Sequence, residues 1–448
     1  MKTKIVNILH HTYAYEYIKD DTRPQINWDT PDGSWVGIWR GNWQDILGNE
    51  VLKLTDRFLY EVWLPDLRTD KIYHHQFKNG LVIKIFPAQI SIREHLFIRD
   101  PSIVSDRMIE QINSESTRFN VVLHLNCDPL TPIAYHIISQ CRHLPVIISF
   151  LSVFKAPQEL VWRPRVNILR TLEHIGKIVR LRKILPYIDF CTFQNRQQER
   201  YLRKVQYHGP TARLTMGCDF DFWIPGDKIK ARERLGISPK TFVISMASRF
   251  NNLKQIDKVI QVLTKIDLNG EYDFLLMVSG HGEKMHEEYL HNISSELISK
   301  KKIRFTGFVD ENEMRSVYQA SDLFISASTS EGCSVSVIKA LACKVPVFST
   351  KVGGTYDIMK PMNAGRFVEI YNYRQWESEL TRLLNGDTID TFDREYAKKH
   401  FHWPNIAQAF VEIYELLSEG YLKRGNIRGK SKANILNINP EEEYNEEK

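Results

Sequence analysis

"SEGCSVSVIKALACKVPVFSTKVGG", Ser330–Gly354, decides how this chain folds and where it binds. A polar turn carrying Glu331 and Gly332 runs into an apolar helical stretch. "VPVFST" follows, a short strand-like run closed by Gly353 and Gly354. Helix, strand and glycine turn make one step of an alternating α/β chain. Outward from this stretch the step repeats. "TFVISMAS", "DFLLMVSG", "KIRFTGFV" and "DLFISAS" are strand-like, and "QIDKVIQVLTKI" carries Ile256, Val259, Ile260, Leu263 and Ile266 at helical spacing. Nearer the N-terminus "LYEVWL", "LVIKIF", "NVVLHL" and "PVIISFL" alternate less regularly with segments such as "PSIVSDRMIEQI". The pattern predicts a doubly wound α/β architecture, with parallel sheets covered on both faces.

A chain of 448 residues is long enough for two or three domains, and 43% apolar with 25% charged residues is ordinary for a soluble globular protein. The longest apolar run, "VIISFLSVF", falls well short of the roughly eighteen residues a membrane span needs and reads as a buried strand. No signal-peptide core precedes a cleavage site. Cys127, Cys141, Cys191, Cys218, Cys333 and Cys343 are scattered, without CxxC pairing or histidine spacing, which suits a reducing, cytoplasmic setting. A net charge of +6 is too small to imply nucleic acid. Lys155–Lys183, however, holds eight Lys or Arg against Glu159 and Glu173. Two readings stand: a solvated helix face, or attraction to an anionic membrane surface or phosphorylated acceptor.

Gly and Pro in "MGCDFDFWIPGDKIKARERLGI" punctuate a linker. The expected domains are 1–222 and 223–405, with a closing helix over 406–422 that returns to the first. The charged tail 423–448 is expected to be disordered.

Ligands of open α/β sheets bind at the carboxyl ends of the strands. There the second half places Arg249 and Lys254, then Gly280-His281-Gly282, then Glu331 and Gly332, then Gly353 and Gly354. Glycines permit close backbone approach, and two cations beside a helix start make a place for phosphates.

From Met216 to about Leu417 the chain resembles the donor-binding half of the retaining family 4 glycosyltransferases (glycosyltransferase group 1). The matching motifs are "MGCD", the Arg249/Lys254 pair, "GHG", "FTGFV", "SEG", "PVFST", "VGG" and the late "FHWPNIAQAFVEIYELL". In the first half the likeness is limited to a glycine-bearing loop at Gly37–Gly41 and to "NVVLHLN". The resemblance implies the GT-B fold, two Rossmann-like doubly wound domains facing across a cleft. It further implies retaining, metal-independent transfer from a nucleotide diphosphate sugar, of hexosyl type, with no cofactor. The acceptor, a glycan, lipid-linked or polysaccharide precursor, would sit on the first domain. Arg249 and Lys254 would hold the donor diphosphate as leaving group, and Glu331 would accept hydrogen bonds from the donor sugar. Gly280, Gly282, Gly332, Cys333 and Ser334 would line the same site through their backbone.

Three positions depart from that pattern. The resemblance expects a second glutamate, gripping both ribose hydroxyls, where this chain has Lys339. It expects a histidine near Leu151 or Ser152 in the first half; His124 is the nearest substitute, and also reads as a structural histidine. Lys344 replaces a glycine at a helix end. Lys339 is compatible with an active enzyme whose lysine donates to ribose or phosphate, with a non-nucleotide donor, or with a non-catalytic scaffold partnering an active transferase. Asp219-Phe220-Asp221 spells a metal-binding DxD pattern but belongs to the linker.

Overall fold

The computed structural model describes residues 2–9, 43–67, 69–90, 103–127, 131–150, 178–270, 272–389 and 392–420. The Gly37–Gly41 loop, Leu151 and Ser152, residues 155–177 of the basic segment and the 423–448 tail lie outside them. The chain divides into two compact units, Met1–Thr215 with Trp403–Lys448, and Met216–His402.

The first unit holds β1 (Thr3–Leu9), β2 (Phe58–Asp66), β3 (Tyr73–Gln76), β4 (Val82–Pro87), β5 (Gln89–Ile90), β6 (Ile103–Val104), β7 (Asn120–Asn126), β8 (Val146–Ser149), β9 (Phe190–Phe193) and β10 (Thr211–Arg213). Eight of these form one sheet in the order β10-β9-β8-β7-β1-β2-β4-β3, parallel except where β3 runs against β4. The strand-like runs read from the sequence are β2, β4, β7 and β8. Side chains alternate between faces, and both faces are covered, so the strands read as nearly continuous apolar runs. Val6, Ile8, Leu123 and Leu125 fill one core; Ile5, Val62, Val122 and Ile147 fill the other. Helices Trp43–Leu54 and Trp403–Ser418 contribute to that second core.

One stripe across this second face is polar. His124 Nδ1 meets the Tyr414 hydroxyl at 2.7 Å and Nε2 meets Ser149 Oγ at 2.7 Å, while Ser149 Oγ lies 2.6 Å from Thr192 Oγ1. Asn7 donates to the Tyr60 hydroxyl at 2.6 Å. The contacts tie the closing helix to the sheet. They also make His124 a structural residue, fully buried and hydrogen-bonded on both ring nitrogens. On the opposite face Lys4 and Lys84 each bridge Glu61 and Glu115, a charge-balanced buried group.

The second unit is an all-parallel sheet of β11 (Phe242–Ala247), β12 (Phe274–Ser279), β13 (Ile303–Gly307), β14 (Leu323–Ser326), β15 (Val347–Thr350) and β16 (Gly365–Val368). Its order is β13-β12-β11-β14-β15-β16. The chain winds outward from β11 to β13, returns to β14 beside β11, and winds the other way. The crevice at that reversal is where such sheets bind ligands. Ile256, Val259, Ile260, Leu263 and Ile266 are the buried stripe of helix Ile256–Asn269, as their spacing predicts. Helix Glu311–Ala320 opens with a reciprocal capping box between Asp310 and Glu313. Asp219 accepts from the backbone N–H groups of Asp221 and Phe222, and Asp221 pairs with Lys398 at 2.6 Å, so the DxD pattern builds a linker turn. Among the described residues no helix is long and apolar enough to cross a membrane.

Burial pushes the His124 imidazole down to about 3. A lowered value means that the unfolded chain takes up a proton before the fold does. Stability is therefore complete above about pH 6.5 and falls by roughly 1.4 kcal/mol per pH unit below it. Asp45, which burial pushes up to about 7, has the opposite slope in part of that window, so a global stability scan would mix the two. The clean readout is the ring itself. Its NMR resonances are expected not to titrate between pH 8 and 5; a midpoint near 6.5 would show that the ring is not sealed.

Candidate functional site

Arg249, Lys254, the Gly280–Gly282 turn, Glu331 and the Gly353–Gly354 pair stand beyond the carboxyl ends of their strands, while Lys339 lies within helix Val335–Ala342. Arg249 follows β11 and is exposed. Lys254 closes a single turn, Asn252–Lys254, that Asn251 opens by accepting from Leu253 N–H. Gln255 then takes a left-handed conformation (φ 49°) to start helix Ile256–Asn269. Glu331 lies in the turn after β14, ahead of helix Val335–Ala342. The thread from Leu253 to Thr329 joins the two loops: Thr329 N–H donates to the Leu253 carbonyl at 2.8 Å.

Lys254 Nζ is hydrogen-bonded and ion-paired to Glu331 Oε1, which also accepts from Ser328 Oγ at 2.7 Å. Both charges are largely sheltered, with side chains 24% and 11% exposed. They line a recess with Met246, Ser248, Ser326, Ser328 and Ser336, at the reversal between β11 and β14. Backbone N–H groups at the start of helix Val335–Ala342 have no intrahelical partners, and the Ser334 side chain does not cap them. A cation, a carboxylate and a helix N-terminus together suit a ligand with both phosphate and hydroxyl groups.

The glycines permit close approach of backbone to backbone. Ser248 N–H donates to the Ser279 carbonyl and Phe250 N–H to the His281 carbonyl, at 3.1 and 2.8 Å. The backbone on both sides of Arg249 is thus pinned to the "GHG" turn. A Cβ on Gly280 would lie 1.9 Å from the Ser248 carbonyl oxygen, and one on Gly282 would lie 2.3 Å from that of Phe250. Gly354 does the same for the acidic loop. Its N–H donates to the Glu331 carbonyl at 3.1 Å, and a Cβ there would sit 2.0 Å from the Gly332 carbonyl oxygen. The paired turns hold the loops bearing Arg249 and Glu331.

Lys339 is engaged elsewhere. Its ammonium lies 4.2 Å over the Trp223 ring and 3.2 Å from Glu311 Oε1. Trp223 in turn packs edge-on against Tyr318. Sequence reasoning singled out Lys339 but missed Glu311 and Trp223, which come from another helix and from the linker. Ser328 was also missed; its position three residues before Glu331 was the available signal.

Residues 227–400 match the family described as glycosyl transferases group 1. The D-inositol 3-phosphate glycosyltransferase of Corynebacterium urealyticum is 27% identical over 216 residues, 46% of this chain and 51% of that protein. An uncharacterized glycosyltransferase of Methanocaldococcus jannaschii is 27% identical over 236 residues, 52% of this chain and 58% of that protein. The chain thus spans about half the length of the curated relatives it matches. Among solved structures, the sucrose-phosphate synthase of Thermosynechococcus elongatus superposes with a TM-score of 0.68 at 15% identity, over 93% of this chain and all of that one. An Anabaena protein in complex with UDP and glucose gives 0.62 at 15% identity, over 92% and 99%. These likenesses establish the GT-B fold for the two parallel sheets.

The glycine clamp is testable by comparing two positive-φ positions. Gly307 (φ 68°) faces open space, so Gly307→Ala should cost only the left-handed strain of about 1–2 kcal/mol. Gly280 (φ 128°) adds a backbone clash, so Gly280→Ala should lower the urea-unfolding stability by clearly more, about 2–4 kcal/mol. Equal losses would mean that the Ser248 loop yields freely.

Proposed function

We propose, from the premise that this chain belongs through its second unit to the glycosyl transferases group 1 family, that it is a retaining glycosyltransferase using a nucleotide diphosphate sugar. The observation that carries this reading is the sheltered Lys254–Glu331 pair at the sheet's reversal, with Arg249 on the neighbouring strand end. Arg249 and Lys254 bind the diphosphate and stabilise the charge that grows on it as the glycosidic bond breaks. The N–H groups from Cys333 to Ser336 add to that stabilisation. Ligand phosphate draws Lys254 toward itself, and Glu331 then accepts from sugar hydroxyls. The cations do the work that a metal does in other transferases, so transfer proceeds in EDTA. The departing phosphate takes the acceptor's proton, and no separate base is required. The acceptor is a glycan, lipid-linked or polysaccharide precursor held by the first domain.

UDP-glucose, the kind of donor carried by structural neighbours, is the first probe. Charge-assisted contacts are worth roughly 1.5–3 kcal/mol each. Arg249→Ala and Lys254→Ala should therefore each weaken its binding at least about tenfold by calorimetry and abolish transfer, with unfolding midpoints retained. Wild-type affinity in both variants would remove the diphosphate site from these loops.

Lys339 decides between enzyme and scaffold. A lysine donates but cannot accept, so a ribose grip here uses donation. Lys339→Glu alone would set a carboxylate against Glu311 and should gain nothing. Lys339→Glu combined with Glu311→Gln removes that repulsion and should raise nucleotide-sugar affinity about tenfold or more. A panel of nucleotide sugars that binds neither wild type nor the double variant would leave the non-catalytic scaffold.

The basic segment Lys155–Lys183 attaches the enzyme peripherally to an anionic membrane surface at the cytoplasmic side; its described end presents exposed Arg182 and Lys183. Binding to vesicles containing anionic lipid should fade as salt rises, because screening acts over about 8–10 Å. No sedimentation with such vesicles at low salt would leave a solvated face.

A further inference from the structure

The recess that Lys254 and Glu331 line holds one side chain whose polar group is unmet. Ser248, the residue before Arg249, borders it together with Ser326, Ser328 and Ser336. Its Oγ is buried, and among the described residues it has no hydrogen-bond partner. A buried hydroxyl without a partner is destabilising, and a serine commonly relieves it by turning to a nearby backbone group. Here the backbone has no slack to help. Ser248 N–H is committed to the Ser279 carbonyl, and the Ser248 carbonyl lies too close to Gly280 for a Cβ to fit between them. The fold thus carries this hydroxyl unmet at the sheet's reversal, where sheets of this kind take ligands.

The surrounding groups decide what it suits. Lys254 and Ser328 both meet Glu331 at Oε1, and among the described residues Oε2 has no partner. The recess therefore offers an O–H donor on Ser248 and a carboxylate acceptor on Glu331. It has room for about one water-sized group. A phosphate oxygen matches that size but only accepts, and it would meet the Glu331 charge at close range. A sugar hydroxyl matches it too, and can donate to Glu331 while accepting from Ser248. We propose that Ser248 is a specificity-determining residue that recognises, with Glu331, a single hydroxyl of the donor sugar. This rests on the nucleotide-sugar reading above and adds the residue that rejects a donor lacking that hydroxyl. A site built to bind a hydroxyl leaves its own buried polar groups unpaired when the hydroxyl is missing.

The test is isothermal titration of the full chain and of Ser248→Ala. The probes are whichever of UDP-glucose, UDP-galactose and GDP-mannose wild type binds most tightly, the matching nucleoside diphosphate, and each monodeoxy form of that sugar nucleotide. Ser248→Ala should weaken the sugar nucleotide at least about fivefold and leave the nucleoside diphosphate as in wild type. The urea-unfolding midpoint should stay or rise, because the variant removes an unmet buried hydroxyl. One monodeoxy donor, the one lacking the recognised hydroxyl, should bind variant and wild type alike. The inference is overturned if the variant binds the parent donor as wild type does, if the nucleoside diphosphate loses as much, or if every monodeoxy donor still binds the variant more weakly. Should neither sugar nucleotides nor diphosphates bind wild type, the transferase reading fails and this inference with it. Diphosphate binding without any effect of Ser248→Ala on the sugar nucleotide overturns the inference alone.

Discussion

No side chain fits between Gly280 and the carbonyl of Ser248, and the strand-end site of the second unit depends on that contact. Parallel strands end at different heights, and their loops would drift apart if only side chains tied them. Here the backbone beyond β11 stays paired with the backbone beyond β12, at Ser248 and Phe250, so Arg249 projects from a continued ladder. Gly354 closes on Gly332 in the same way and holds Glu331. Lys254 and Glu331 then meet across the reversal between β11 and β14 because both of their loops are held by backbone. At Gly280 and Gly354 the missing Cβ leaves room for a neighbouring carbonyl.

The two units divide the chemistry by charge. At its strand ends the second unit shows Arg249, Lys254 and the start of a helix, all favourable to anions. The first unit buries its polar groups as neutral pairs: an imidazole locked between two hydroxyls, amides bonded to amides, and a carboxyl that burial keeps protonated up to about pH 7. Lys4, Glu61, Lys84 and Glu115 gather on the other face of the sheet, where each has an opposite partner. Burial of an unpaired charge would cost far more than burial of a satisfied hydroxyl.

Much of this was legible along the chain. Short continuous apolar runs mark the strands of both sheets, because both faces are covered, and period-3.6 spacing marks the buried face of helix Ile256–Asn269. The α/β alternation then places Arg249, Lys254, Glu331 and the glycine turns at one end of one sheet. Identity at each of these positions is readable because a charge or a missing Cβ is a property of one residue. What Lys339 does was not readable. Its partners, Glu311 and Trp223, lie 28 and 116 residues away along the chain, one on another helix and one in the linker. His124 was ambiguous for the same reason. Only the closing helix, bringing Tyr414 from 290 residues downstream, shows that the imidazole is sealed in the core. Sequence spacing determines which face a residue takes, while contacts between distant segments form only when the whole sheet is assembled, and those contacts decide whether a polar residue meets a ligand or another part of its own chain.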